Sequence, residues 1–217
     1  MRDYILFDLD GTLTDPALGI CGCVRYALEK GGYPVGPLET YHPWIGPPLL
    51  RSFCQFCGVD EGEGQRLVDL YRERFSVTGL FENEVYPGIE SLLQSLKARG
   101  AHLAVATGKP TVYSERILEH FGLKNQFDLV SGISLTEAPL SKAGVIRAAL
   151  AHWNDPDLSR CVMVGDREHD ILGARECGMD SVMVLYGYGS REEALACAAP
   201  RTAETVAELE RILLEMN

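Results

Sequence analysis

Two aspartates, Asp8 and Asp10, stand two residues apart directly after the apolar run Ile5 to Phe7 in the segment YILFDLDGTLTDP. Side chains two positions apart on an extended chain project to the same side, so these carboxylates repel each other unless a cation lies between them. Burying even one unpaired carboxylate is costly. The pair therefore predicts a site where a metal ion or a lysine holds the two acids together.

Polar side chains also follow two later apolar runs, HLAVA at residues 102–106 and CVMV at residues 161–164. A lysine begins a helical pattern between these two runs. Ligands of an open parallel sheet bind beyond the carboxyl ends of its strands, where such residues would meet. The residues that we expect at this edge, besides the two aspartates, are Thr107, Gly108, Lys109, Lys142, Asp166 and Asp170.

Carboxylates from separate strand ends suggest a metal site built from oxygen ligands. Mg²⁺ binds to one or two carboxylates and keeps water molecules that a substrate oxygen can replace. We expect Asp8, Asp10 and Asp166 to bind the ion, with Asp170 completing or orienting its coordination. The Asp-x-Asp-Gly run could instead form a turn closed by side-chain hydrogen bonds. The occurrence of these acids in order at successive strand ends favours the metal site.

This arrangement suits phosphoryl transfer. A carboxylate that attacks a phosphate dianion is repelled by it, so a cation must neutralise both partners. Asp8 could attack phosphorus to form an aspartyl phosphate, while Asp10 donates a proton to the leaving oxygen and later accepts one from water. Thr107 and nearby backbone amides could hold the transferred oxygens. Lys142 could balance the charge, and Lys109 competes with it for that role.

A further substrate contact is predicted in the segment of sequence that separates the first apolar run from the later ones. The segment GPP at residues 46–48 precedes a helical pattern that contains Arg51. The amino end of a helix favours an anion, so Arg51 could bind to a substrate there. The alternative is a rigid turn followed by a solvated arginine.

Short apolar runs alternate with helical patterns through most of the chain. Such alternation predicts an α/β fold, a Rossmann-like doubly wound parallel sheet covered by helices on both faces. Three consecutive helical patterns interrupt it. We therefore predict an α/β phosphotransfer core formed by residues 1–14 and 87–217, and a helical cap formed by residues 15–86. Gly187 and Gly189, after the last apolar run, are expected to serve turn geometry.

The composition limits the classes of partner. The chain has 217 residues, of which 46% are hydrophobic, and a formal net charge of −11. This charge argues against nucleic-acid polymers and anionic membrane surfaces. No stretch approaches the roughly 18 consecutive apolar residues of a membrane span, and no signal-peptide pattern follows Met1, so we expect a cytoplasmic protein. The expected partner is a small phosphorylated metabolite held by local positive charge, and the expected state is a monomer or homodimer.

Seven cysteines in a chain of this size favour reduced thiols over disulfides. Cys21, Cys23, Cys54 and Cys57 could in principle supply four zinc ligands. Both pairs lie within amphipathic helical patterns, however. Buried, small apolar side chains are therefore the favoured interpretation.

Four segments together resemble the motifs of the haloacid dehalogenase-like hydrolases, in the branch that includes phosphoglycolate phosphatases. They are FDLDGTLTD at 7–15, VATGK at 105–109, Lys142 and VGDREHD at 164–170. The resemblance covers essentially the whole chain, including the position of the helical cap. The roles that it implies are a nucleophile at Asp8, a general acid and base at Asp10, phosphate ligands at Thr107 and Lys142, and Mg²⁺ ligands at Asp8, the Asp10 carbonyl and Asp166.

Two positions depart from the family pattern. Lys142 is followed by Ala143 where many relatives have proline, and Arg167 stands where a small hydroxyl residue is common. The segments WIGPPLLRSF and YGYGSREE look like the subgroup of phosphoglycolate phosphatases and 5'-nucleotidases. The resemblance thus implies a Mg²⁺-dependent phosphatase that hydrolyses a small, phosphoglycolate-like phosphomonoester through an aspartyl phosphate.

Other functions are compatible with some of these features. A nucleoside 5'-monophosphatase is one alternative, and a β-phosphoglucomutase-like phosphosugar mutase would use the same residues. A non-enzymatic, receiver-like module also accepts phosphate on a strand-end aspartate, but such modules have roughly half this length and lack an inserted cap. A catalytically silent binding protein would not need all of the acidic residues that are present.

Overall fold

The computed structural model describes residues 2–136 and 140–216. The chain divides into two compact units. Residues up to Asp15 together with those from Val85 onward form the first, and Pro16–Glu84 form the second. They are called the core unit and the helical unit below.

Strands in the described residues alternate with helices along the core unit, and one short strand begins at Glu84, the last residue of the helical unit. The strands are β1 (Tyr4–Phe7), β2 (Thr14–Asp15), β3 (Glu84–Val85), β4 (His102–Pro110), β5 (Leu129–Ile133), β6 (Cys161–Gly165), β7 (Asp180–Val184) and β8 (Thr202–Ala203). Six of them form one sheet in the order β5-β4-β1-β6-β7-β8, while β2 and β3 form a separate two-stranded sheet. Every pairing in the large sheet is parallel. The predicted α/β fold with a parallel sheet is confirmed.

The central strand of the sheet, β1, has a continuous apolar sequence because it is buried on both faces. Ile5, Leu6 and Phe7 of β1 are fully buried, because β1 lies between β4 and β6 and is covered on both faces. Phe7 pairs with Val105 on one side and Val164 on the other. Because these strands are parallel, their carboxyl ends lie at the same edge of the sheet.

The helices begin and end close to the residues at which their patterns begin and end. They are α1 (Ala17–Gly31), α2 (Leu49–Cys57), α3 (Glu61–Arg74), α4 (Ile89–Ala98), α5 (Thr111–His120), α6 (Lys142–His152), α7 (Glu168–Cys177), α8 (Arg191–Ala196) and α9 (Val206–Glu215). Ser141 caps α6, since its side chain accepts a hydrogen bond from the Gly144 backbone N–H over 3.1 Å. This cap places Lys142 in the first turn of α6.

Two helices matter most for the edge of the sheet. Helix α6 packs on the centre of the sheet, where Val145 and Ile146 belong to the same buried cluster as Leu6 and Met163. Helix α7 is capped at its carboxyl end by Gly178, which adopts the left-handed conformation (φ 77°). Backbone N–H groups at this cap donate to the Ala174 and Arg175 carbonyls. The first turn of α6 lies beside β4, because Lys142 Nζ donates to the Ala106 carbonyl, and α7 begins shortly after β6 ends.

The helical unit consists of α1, α2 and α3 with a 3-10 stretch at Leu38–Trp44 and a π-helical turn at Phe75–Gly79. Cys21 and Cys23 are buried in α1, as the apolar interpretation requires, whereas Cys54 and Cys57 of α2 are only half-buried free thiols, so that interpretation holds for the first pair alone. In the parts of the chain that the structure describes, we find no helix both long and apolar enough to cross a membrane.

Candidate active site

Three carboxylates meet at the carboxyl edge of the sheet. Asp8 follows β1, Asp166 follows β6, and Asp170 lies in the first turn of α7. One oxygen from each lies within 4.8 Å of the others, and no further group of three or more potential ligand residues was found among residues 2–136 and 140–216. The Asp8 backbone N–H donates to the Val164 carbonyl over 2.8 Å, which holds Asp8 beside the end of β6. These three acidic residues are called the acidic cluster below.

The acidic cluster is electrostatically unfavourable on its own. Burial raises the pKa of Asp166 well above its ordinary value, and the nearby charges of Asp170 and Asp8 raise it further. Burial likewise raises the pKa of Asp170. Three acids in such a position favour a bound cation, because a cation restores the ionised form that burial disfavours.

Asp166 has one oxygen available for such a cation. The Tyr188 backbone N–H donates to its Oδ2 over 2.8 Å, whereas its Oδ1 is buried without a hydrogen-bond partner. A buried, unpartnered carboxylate oxygen is rare in proteins, because its desolvation is not compensated. The donors are hard oxygens from three carboxylates, which is the type of site that Mg²⁺ prefers. The residues of the acidic cluster therefore fit this ion.

Lys142 lies against the acidic cluster. Its Nζ is 3.0 Å from Asp8 Oδ1 and 2.6 Å from Asp170 Oδ1, and it donates to the Ala106 carbonyl over 2.8 Å. Although burial opposes its charge, the carboxylates of Asp170 and Asp8 raise the pKa of Lys142 above its ordinary value. A fixed ammonium group is thus in contact with the residue predicted to be the nucleophile.

Lys109 contacts the other aspartate of the amino-terminal pair. Its Nζ lies 2.8 Å from Asp10 Oδ1 and 2.7 Å from Asp10 Oδ2. Burial raises the pKa of Asp10, and the charge of Lys109 partly opposes this effect. The Asp10 side chain is therefore directed to Lys109 and is not a member of the acidic cluster. The predicted role of its carbonyl in metal binding stays a prediction.

The sequence pattern placed the end of one strand too early. Strand β4 does not stop at Ala106 but continues to Pro110, and its pairing with β5 is irregular between these residues. This irregular stretch, between Ala106 and Pro110, re-aims backbone and side-chain groups next to the site, as β-bulges do. It contains Thr107, which is buried and whose Oγ1 accepts a hydrogen bond from the Lys109 backbone N–H over 3.2 Å, and Gly108, which is exposed.

The remaining predicted substrate residue lies elsewhere in the chain. Arg51 is an exposed residue in the first turn of α2, in the helical unit. Its role in substrate binding stays a prediction.

Close packing of glycines around the acidic cluster was missed by the sequence analysis. A Cβ atom at Gly165 would lie 2.1 Å from Asp170 Cγ. At Gly187 it would lie 2.7 Å from Asp166 Oδ2, and at Gly189 only 1.9 Å from the Asp166 carbonyl oxygen. Neither Gly187 nor Gly189 has a positive φ, so they are required for close approach to Asp166, and at Gly187 also to the Gly11 carbonyl oxygen, and not for a left-handed turn. The glycine repeat in YGYG was the only signal in the sequence.

Replacing Gly165 by alanine should disturb the acidic cluster without removing a polar group. The added methyl group overlaps Asp170, so we expect the free energy of unfolding to fall by about 1–3 kcal/mol, together with a loss of activity. Urea denaturation and steady-state kinetics measure the two effects.

Gly62→Ala is the matched control. Its Cβ would have no neighbour nearer than 3.4 Å, and alanine in a helix is stabilising by up to about 1 kcal/mol relative to glycine. Equal behaviour of the two variants would show that Gly165 is not required by the cluster.

The sequence and the fold are similar to those of known hydrolases. The model of the haloacid dehalogenase-like hydrolase family matches residues 5–184. A 5'-nucleotidase of Pseudomonas aeruginosa is 42% identical over 212 residues, which cover 96% of this chain and 94% of that protein. The crystal structure of a predicted phosphatase from Clostridium acetobutylicum is similar with a TM-score of 0.94 and 45% identity, over 99% of both chains. The similarity thus extends over nearly the full length of the chain.

A third relative has a name of a different kind. The tyrosine-protein kinase PtkA of Mycobacterium tuberculosis is 42% identical over 187 residues, which cover 85% of this chain and 62% of that protein. Its name describes transfer of a phosphoryl group to tyrosine, whereas the other two names describe hydrolases that release phosphate. The acceptor of the phosphoryl group is therefore a point to be tested.

Proposed function

Because this chain belongs to the haloacid dehalogenase-like hydrolases and is a phosphoric monoester hydrolase, we propose that Asp8 attacks a small, soluble phosphomonoester and forms an aspartyl phosphate. Water then releases phosphate from Asp8. The observation that carries this proposal is the environment of Asp8, which lies against the Lys142 ammonium group and beside a buried, unpartnered oxygen of Asp166. A nucleophilic carboxylate next to fixed positive charge can approach a phosphate dianion.

Asp8, Asp166 and Asp170 are the residues that would hold Mg²⁺. When bound, the ion would supply the positive charge that offsets repulsion between a carboxylate and a phosphate. Lys142 balances charge on Asp8 and on the transferred group. The Thr107 hydroxyl, on the irregular stretch of β4, is available to hold a transferred oxygen.

Asp10 supplies and accepts the proton in this proposal. Its raised pKa suits a group that must donate to the leaving oxygen and later accept a proton from water. Lys109 contacts both Asp10 oxygens, so it can hold the carboxyl group in place. A direct contact of Lys109 with the substrate phosphate is the competing role.

Kinetics with two leaving groups separate these roles of Lys109. An alkoxide leaving group needs a proton, whereas p-nitrophenolate leaves without one. If Lys109 positions Asp10, Lys109→Met should lower kcat/KM for an alkyl phosphate about tenfold more than for p-nitrophenyl phosphate, because general acid catalysis contributes roughly 10²–10⁴-fold. The ratio kcat/KM reports the step in which the phosphoryl group leaves the substrate.

Lys97→Met serves as the control, since Lys97 is an exposed lysine of α4. Equal losses for both substrates in Lys109→Met would instead assign Lys109 to phosphate binding.

For the substrate we propose a phosphoglycolate-like phosphomonoester, on the basis of the motifs that this chain shares with that branch. A nucleoside 5'-monophosphate is the second candidate, and the identity with the Pseudomonas aeruginosa 5'-nucleotidase supports it. A phosphosugar mutase would use the same residues and return the phosphoryl group to a second hydroxyl.

A substrate screen tests the proposal. We expect phosphate release with Mg²⁺ from phosphoglycolate or from nucleoside 5'-monophosphates in preference to sugar phosphates and pyrophosphate. Mass spectrometry of the products distinguishes hydrolysis from isomerisation of a sugar phosphate, and incubation with a tyrosine-containing peptide tests for transfer to a protein acceptor. Transfer to sugar or tyrosine without net release of phosphate would contradict a hydrolase.

A further inference from the structure

Glu193 contacts the two residues that follow Asp166. Its Oε1 accepts a hydrogen bond from the Glu168 backbone N–H over 2.7 Å. The Arg167 Nε donates to the same carboxylate, over 3.0 Å to Oε1 and 3.3 Å to Oε2. Asp166 and Asp170, on either side of these contacts, are two of the three members of the acidic cluster. One side chain from α8 thus binds to the segment that connects two metal-ligand candidates.

This contact is built into the fold. Ser190 caps α8 by accepting a hydrogen bond from the Glu193 backbone N–H over 3.1 Å. The next residue of α8, Ala194, belongs to a buried cluster with Ile171 of α7 and Met183 of β7. The Glu193 side chain is only 19% exposed. Helix α8 therefore presents Glu193 to residues 167–168 from a fixed position.

The residues just before α8, at positions 187–189, contact Asp166 directly. The Tyr188 backbone N–H occupies Asp166 Oδ2, and the missing side chains of Gly187 and Gly189 allow the chain to approach it. Glu193 in turn contacts Arg167 and Glu168, the two residues that follow Asp166. On the other side, the Arg167 backbone N–H donates to Asp170 Oδ2 over 3.1 Å. The residues bound to Glu193 are therefore connected to both aspartates.

We propose that Glu193 is a positioning residue that sets the geometry of Asp166 and Asp170 for binding Mg²⁺, and that Arg167 is its partner in this role. The inference rests on the proposed function, since it takes the acidic cluster to be a Mg²⁺ site. Groups that orient metal ligands from behind typically change metal affinity about 10–100-fold when they are removed. The pairing also gives a physical reason for arginine at position 167, where the family commonly has a small hydroxyl residue.

The experiment is calorimetric titration of the metal-free, full-length protein with Mg²⁺, which requires no substrate. Glu193→Ala loses both contacts, whereas Glu193→Gln keeps an acceptor for the Glu168 N–H and loses the ion pair with Arg167. We expect the Kd for Mg²⁺ to rise about 10–100-fold in Glu193→Ala and by a smaller factor in Glu193→Gln. Arg167→Met should resemble Glu193→Gln. Glu192→Gln is the control, because Glu192 is an exposed neighbour on α8, and its Kd should match the wild type.

A purely structural role of Glu193 predicts a different result. The thermal midpoint in EDTA would then fall for Glu193→Ala and Glu193→Gln while the Kd for Mg²⁺ stayed at the wild-type value, which would overturn the inference. If Glu193→Ala does not fold, Glu193→Gln and Arg167→Met decide by the same criterion. A wild-type protein that binds no Mg²⁺ would overturn the proposed metal site and this inference together, whereas wild-type binding with unchanged variants would overturn the inference alone.

Discussion

Replacing Asp8 by asparagine should lower turnover of any phosphomonoester by roughly 10⁴-fold or more, as removal of a nucleophile does in other hydrolases that use covalent catalysis. Asparagine has nearly the same shape but cannot attack phosphorus as a carboxylate does. Lys142 keeps its contact with Asp170 in this variant, so the buried ammonium group retains a carboxylate partner. We therefore expect a folded protein without activity, which far-ultraviolet circular dichroism and steady-state kinetics together measure.

Asp155→Asn is a matched control for the change of an acid to its amide. Asp155 is exposed, and its left-handed backbone (φ 51°) is one that asparagine adopts readily. This variant should retain full turnover. Activity of Asp8→Asn within a few-fold of the control would refute Asp8 as the nucleophile, and mass spectrometry that found a trapped phosphoryl group on another residue would identify the alternative.

Removal of divalent metal should have the second large effect. EDTA should lower turnover by at least about a thousandfold, because a metal ion contributes several kcal/mol of charge stabilisation and about 1.4 kcal/mol corresponds to a factor of ten. The reason lies in the acidic cluster, where burial and mutual repulsion raise the pKa of Asp166 and one of its oxygens has no partner.

Restoration by Mg²⁺ is the essential control for this experiment. Added Mg²⁺ in excess of EDTA should return the activity, and EDTA saturated with Mg²⁺ beforehand should have no effect. Elemental analysis should confirm that the treated protein carries no metal. Undiminished turnover by such metal-free protein would show that Lys142 alone supplies the necessary positive charge, and the proposed Mg²⁺ site would then be wrong.

The sequence alone was enough to predict the parallel sheet and the location of Asp8 and Asp166 at its edge, but not the direction of the Asp10 side chain. Asp8 and Asp166 each follow a run of apolar residues, and a central strand buried on both faces must have such a run. Because alternating strands and helices form a parallel sheet, the residues that follow both strands lie at the same edge. These features are local in sequence, so a pattern of a few residues carries them.

Elements near the carboxyl terminus were harder to anticipate. Strand β8 has two residues and α8 has six, which is too short for a period of apolar residues to be visible. The extension of β4 to Pro110 was missed for a related reason, since Thr107, Gly108 and Lys109 have no apolar alternation although they continue the strand with irregular pairing.

Only the tertiary structure decided which lysine contacts which aspartate. Lys142 contacts Asp8 although 134 positions separate them in the sequence, and Lys109 contacts Asp10. Each lysine lies close to the end of a strand or the start of a helix, and no rule of sequence spacing predicts which aspartate each one contacts. The same holds for Glu193, whose contact with Arg167 depends on how α8 packs against α7. Periodicity predicts which face of an element is buried, whereas the partner of a polar side chain depends on distances between elements that are remote in sequence, and these exist only once the chain has folded.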